Sequence, residues 1–138
     1  MPEVELHIRP RPHIRSTRGD SILFRIPEHK LSVPGLYRKR QLVRYIEYKK
    51  ELAFLCIELG FTLPSTPFHV IFYLPMPKGW NKRKKAELNM RPHTVMPDID
   101  NLYKALADSL MEHDQVIHDV RMQKVWINDP NGYISIRY

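Results

Sequence analysis

The chain has 138 residues, 43% of them hydrophobic, and a formal net charge of +7. That length suits one domain with a real core, and the surplus of cations favours a polyanionic partner through counterion release. A single cysteine, Cys56, excludes an internal disulfide framework and a cysteine-based zinc site.

The alternation Val4-Glu5-Leu6-His7-Ile8 predicts a first strand, closed by Pro10 and Pro12. Met1 to Arg11 has no signal-peptide apolar core, and no apolar run reaches membrane-spanning length. The expectation is a soluble cytoplasmic chain without membrane partners. Ile22 to Ile26 reads as a second strand after the Gly19-Asp20 turn signal. Pro34-Gly35 then precedes a long helix over about 36–60. Val43, Ile46, Ala53, Cys56 and Ile57 fall near helical spacing in it, and Gly60 is its stop signal. Cys56 is expected as a buried thiol among Leu52, Ala53 and Ile57. Arg38, Lys39, Arg40, Arg44, Lys49 and Lys50 decorate this helix, either as a solvated face or as phosphate contacts.

Phe68 to Leu74 reads as a buried central strand that ends at Pro75 and Pro77. Lys78-Gly79-Trp80-Asn81-Lys82-Arg83-Lys84-Lys85 follows, with one or two helical turns expected through Leu88. An aromatic beside five cations suits a nucleic-acid backbone and an unpaired base; the alternative is a solvated loop with Trp80 folded back on the core. Over about 101–112 a helix places Leu102, Leu106 and Leu110 on one side. Asp100, Lys104 and Asp108 lie roughly 200° away, given ~100° per residue. A strand is expected from Val116-Ile117, and Val125 to Ile127 continues it or begins another. The turn signal Asp129-Pro130-Asn131-Gly132 then predicts a hairpin into a last strand, Tyr133 to Tyr138. The order β-β-α-β-(basic loop)-α-β-β predicts an α+β fold: a mixed sheet packed with two main helices.

Pro97-Asp98-Ile99-Asp100-Asn101-Leu102-Tyr103-Lys104 carries the chemistry. If 98–100 is extended, Asp98 and Asp100 point the same way and can face one hard cation. Asp100 is also placed to cap the helix beginning at Asn101, with Lys104 as its i, i+4 neighbour. Carboxylates, a lysine and a basic chain point to Mg²⁺-assisted chemistry on a phosphodiester, with Asp119 as a further acid. The competing reading is structural: acids complement a helix start, an Asp–Lys pair is a common surface ion pair, and Asp119 is a strand-end residue. The histidines show no clear metal-ligand spacing. No nucleophile elbow and no glycine-rich phosphate loop are present.

Pro97 to Leu110 resembles the hallmark segment of the RusA-type endodeoxyribonucleases, Holliday-junction resolvases often found in prophages. That pattern has two acids separated by one residue, then Asn-Leu, a lysine, and an Asp three residues beyond the Ala after it. Asp98, Asp100, Asn101, Leu102, Lys104 and Asp108 match it. An acid pair follows in the family; Asp119 falls at its second position, and His118 occupies the first. Met76 to Trp80 followed by Lys82 to Lys85 is similar to the phage branch, and the resemblance covers about 68–128. It implies a single RusA-like domain over 1–138, with a basic loop at about 76–97 and a catalytic motif at 97–119. It implies a homodimeric, Mg²⁺-dependent enzyme, with Mn²⁺ as a substitute and no organic cofactor. Such an enzyme nicks two opposed strands of a four-way junction, or of other branched DNA, in recombination and repair. By the same resemblance Asp98, Asp100 and Asp119 are metal ligands and Lys104 assists at the scissile phosphate. Lys78, Trp80, Lys82, Arg83, Lys84, Lys85 and Arg91 would bind DNA, and Asp108 would pair with Lys104. The alternative is a non-catalytic protein of the same fold that binds branched DNA or RNA; His118 favours it.

Overall fold

Phe68–Pro75 forms the central strand, and its even-numbered residues Phe68, Val70, Phe72 and Leu74 all enter the core. The computed structural model describes residues 2–111 and 114–138. In chain order they give β1 (Glu3–Leu6), α1 (Asp20–Arg25), α2 (Val33–Leu59), β2 (Phe68–Pro75), α3 (Lys82–Leu88), α4 (Ile99–Leu110), β3 (Val120–Ile127) and β4 (Tyr133–Arg137). Single 3-10 turns occupy Glu28–Lys30 and Asp114–Val116. The strand order is β1-β4-β2-β3. Strand β2 runs parallel to β3 and antiparallel to β4, which is antiparallel to β1. The result is the expected α+β domain: a mixed four-stranded sheet with α2 and α4 on one face.

Helix α4 contributes Leu102, Ala105 and Leu106, fully buried, with Leu110 at the margin. Each buried leucine stabilises the fold by about 1.5–3 kcal/mol relative to exposure. Helix α2 starts at Ser32, whose hydroxyl accepts the Gly35 N–H at 3.2 Å. It stops at Gly60, where φ is 63° and the Phe61 N–H reaches back to the Cys56 carbonyl. Its inward row is Leu42, Tyr45, Tyr48, Leu52 and Cys56. Of the expected apolar row only Cys56 is fully buried; Ile46 and Ile57 are exposed. The two tyrosines supply the packing that the aliphatic pattern misses.

The predicted strand at Ile22 to Ile26 is helix α1 with an extended residue after it. A short apolar run carries no period that separates strand from helix. Tertiary anchoring decides: the Asp20 carboxylate accepts the Thr17 N–H at 2.8 Å and is gripped by the Arg38 guanidinium at 3.1 and 3.2 Å. These bonds push the Asp20 pKa down to about 2 from an ordinary 3.8, Arg38 first and the Thr17 N–H next. A depressed carboxyl stabilises the fold above its unfolded pKa, and that contribution disappears as pH falls through the folded one. The melting temperature should therefore drop between about pH 4 and pH 2. Asp20→Asn should lower it at neutral pH and flatten that acid limb; an unaltered limb would remove Asp20 from the account.

The predicted terminal hairpin is not formed: β3 and β4 flank β2 on opposite sides. The turn itself is present, with Asp129 Oδ1 accepting the N–H groups of Asn131 and Gly132, both at 2.9 Å. Gly132, at φ 73°, passes so close to the Tyr73 carbonyl that a Cβ would stand 2.1 Å from that oxygen. The chain thereby crosses the end of β2 instead of folding back on β3. Strand β3 also begins later than Val116-Ile117, at Val120. The expected helix end at Glu112 and His113 lie outside the described residues.

Candidate active site

Helix α4 begins two residues earlier than its sequence suggests. Asp98 is the N-cap, in extended conformation, and Asp100 lies in the first turn. The two carboxylates therefore do not share one face of an extended segment. They sit at the N-cap and second positions of a helix start, where the dipole favours negative charge. Asp98 makes no capping bond with its side chain, and both residues are exposed. No side-chain hydrogen bond or ion pair of Asp98, Asp100 or Asp119 occurs among the described contacts, so their carboxylate oxygens are open to a ligand.

Asp119 precedes β3 directly and lines an open cavity of about 440 Å³ with Tyr103, Ile117, His118 and Val120. Tyr103 stands three residues after Asp100, on the adjoining surface of α4. The cavity places Asp119 beside Tyr103 of α4. Among the described residues no three acid, histidine or cysteine side chains converge as a ready metal cluster. Exposed carboxylate oxygens are hard ligands of the kind a divalent cation takes one or two at a time beside substrate phosphates. His118 is exposed beside Asp119.

Lys104 is exposed and forms no ion pair among the described contacts. Asp108 does not pair with it, as the sequence suggested. Asp108 Oδ2 lies 3.2 Å from His13 Nδ1, which is 2.8 Å from the Tyr45 hydroxyl. Burial holds His13 below its ordinary pKa; Asp108 opposes this, and Lys104 and Lys49 add to it. The His13 backbone N–H donates to the Asn101 carbonyl at 2.9 Å. The segment after β1 thus runs along the Asp100–Lys104–Asp108 face of α4.

What fixes the approach to Asp98 is a residue the sequence did not single out. Lys124 Nζ donates to the carbonyls of Val95 and Pro97, at 2.6 and 2.7 Å. Lys124 pairs with Phe72 in the β2–β3 register, so it stands on the helix-covered face between Met122 and Trp126. A lysine in an otherwise apolar alternating row is the signal that could have found it.

The basic segment forms α3, capped by Asn81, whose side chain accepts the Lys84 N–H at 2.8 Å. Trp80 is folded back: its ring packs on Trp126 at 4.8 Å, and the Lys84 ammonium lies 4.3 Å from its centre. Arg83 makes an exposed pair with Glu87, worth little in water. Lys78 and Lys85 line one cavity of about 280 Å³. The chain then runs along the outer edge of β3. The Met90 and His93 N–H groups donate to Trp126 and Lys124, and the Trp126 N–H donates to Arg91, whose side chain is exposed. On α2, by contrast, Arg38, Lys39 and Arg40 are drawn into internal contacts with Asp20, the Ile26 carbonyl and Glu28.

No helix among the described residues is long and apolar enough to cross a membrane. The chain is 32% identical over 73 residues to the Bacillus subtilis (strain 168) protein named "Uncharacterized protein YqaN", covering 47% of this chain and 51% of that protein. It therefore spans about half the length of the curated relative it matches. The family profile described as Endodeoxyribonuclease RusA matches residues 28–137. That match takes in both main helices, three of the four strands, the carboxylates of α4 and Asp119, and the chain belongs to the RusA endodeoxyribonuclease family.

Proposed function

We propose that this protein is a Mg²⁺-dependent endonuclease that resolves four-way DNA junctions, acting as a homodimer in which each subunit nicks one of two opposed strands. The observation that carries the reading is the start of α4: Asp98 and Asp100, both exposed and unpaired, one helical turn before an unpaired Lys104. Asp98, Asp100 and Asp119 would hold the cation. When bound, it supplies charge neutralisation at the phosphate and a lowered pKa for the attacking water. Lys104, four residues after Asp100, stabilises the developing charge on the phosphate oxygens. A two-fold dimer matches the two symmetry-related strands of a junction.

Lys124 acts as a positioning residue, holding the 95–97 carbonyls so that Asp98 and Asp100 keep their places. Lys124→Met should slow cleavage by about 10–100-fold, the range for residues that orient metal ligands, with Lys124→Arg recovering part of the rate. Equal rates in all three proteins would remove it from the site. The cations of α3 contact the DNA backbone, with Lys78 and Arg91 beside them and Trp80 as the platform that holds Lys84. Neutralising Lys82, Arg83, Lys84 and Lys85 together should flatten the salt dependence of DNA binding by roughly one unit per lost contact. An unchanged slope would make α3 a bystander.

The test is cleavage of an end-labelled four-way junction with Mg²⁺, beside EDTA and linear-duplex controls. Symmetric nicks on opposed strands, lost with EDTA, are expected. One observation favours a second reading, a non-catalytic binder of branched DNA: His118 stands beside Asp119 where the family pattern has an acid. Tight junction binding without nicks in Mg²⁺ or Mn²⁺ would select it, and His118→Asp would then be the variant to assay.

A further inference from the structure

The segment after β1 carries Arg9 and Arg11. Together with Arg44 of α2 these line a cavity of about 310 Å³, whose walls include Ile8, Tyr48 and Asn131. Glu47 and Glu51 stand on the α2 side of the same cavity. None of the three arginines pairs with a carboxylate within ion-pair distance among the described contacts. Arg9 and Arg44 are exposed and Arg11 is half-buried. Burial, then the charges of Arg9 and Arg44, push the Arg11 guanidinium below its usual pKa range. Three arginines against two glutamates leave the cavity a surplus of positive charge, and guanidinium forks match phosphate oxygens in pairs.

The location gives this cluster a role. Two residues beyond Arg11, the His13 N–H is bonded to the Asn101 carbonyl, next to Asp100. Two extended residues span at most about 7 Å, so the Arg11 backbone stands within reach of the start of α4. We propose that Arg9, Arg11 and Arg44 form a seat for a DNA backbone phosphate, holding the strand beside the site of cutting. The proposal rests on the nuclease reading and adds a second DNA contact, separate from α3.

The experiment measures four-way-junction binding across a salt series for the wild type and for Arg9→Gln/Arg44→Gln. Both are exposed residues, so half-buried Arg11 stays in place. A second pair, Arg25→Gln/Lys30→Gln, removes the same charge from exposed positions away from the cavity. The cavity pair should flatten the slope of log K against log salt by about 1–2 units and weaken binding about tenfold at low salt; the second pair should do neither. Arg9→Gln alone should give about half the effect and serves if the double variant does not fold. An unchanged slope, or an equal change in both pairs, overturns the seat while wild-type cleavage leaves the nuclease reading standing. A wild type that neither binds nor cuts junctions overturns both.

Discussion

Asp100→Asn should abolish junction cleavage and leave junction binding intact. The substitution is nearly isosteric and the site is exposed, so the fold loses only the charge–dipole contribution of the first turn, about 0.3–1 kcal/mol. The chemistry loses an anionic oxygen from the three proposed ligands, Asp98, Asp100 and Asp119. A rate reduction of at least ~10³-fold is expected, equivalent to about 4 kcal/mol of transition-state stabilisation. Binding should hold or tighten, because one negative charge facing a polyanion is removed. Single-turnover cleavage and equilibrium binding of the same labelled junction separate the two effects. Turnover near the wild-type rate would take Asp100 out of the site.

Lys104→Ala should act on the chemical step in the same assay. Lys104 is exposed and without an ion pair, and alanine is the best helix former, so α4 should remain folded. A positioned cation at developing negative charge is worth about 10²–10³-fold in rate. Binding should weaken by less than tenfold, as for the loss of one of many phosphate contacts. A loss confined to affinity, with the single-turnover rate unchanged at saturation, would make Lys104 a binding residue instead.

The parts of this fold that could be read from the chain are those with strong local signals. Phe68 to Leu74 is an unbroken apolar run between prolines, and it is the central strand. Pro34-Gly35 and Gly60 mark the ends of α2, and the leucine spacing of α4 sets its buried face. What failed depended on partners distant in sequence. Ile22 to Ile26 is helical in a segment that Arg38 ties down through Asp20. The terminal turn was visible, but its target was not, because nothing local says that β4 lies across β2 from β3.

The site divides the same way. The i, i+4 relation of Asp100 and Lys104 was legible from helix geometry, whereas the relation of Asp98 to Asp100 was read as extended and the helix instead begins at Ile99, with Asp98 as its N-cap. Asp108 was assigned to Lys104 because both lie on one helix face; its partner His13 comes from a segment almost a hundred positions away, with Tyr45 from a third element. Lys124 was hidden because its two bonds go to backbone carbonyls, which carry no residue identity.

The most direct measurement uses a supercoiled plasmid that extrudes a cruciform, incubated with the wild-type protein and Mg²⁺. Paired nicking within one binding event converts the plasmid directly to linear molecules with ends mapping symmetrically across the junction, and that is the predicted product. Plasmid that stays supercoiled in both Mg²⁺ and Mn²⁺, despite junction binding, would contradict a catalytic centre at Asp98, Asp100 and Asp119.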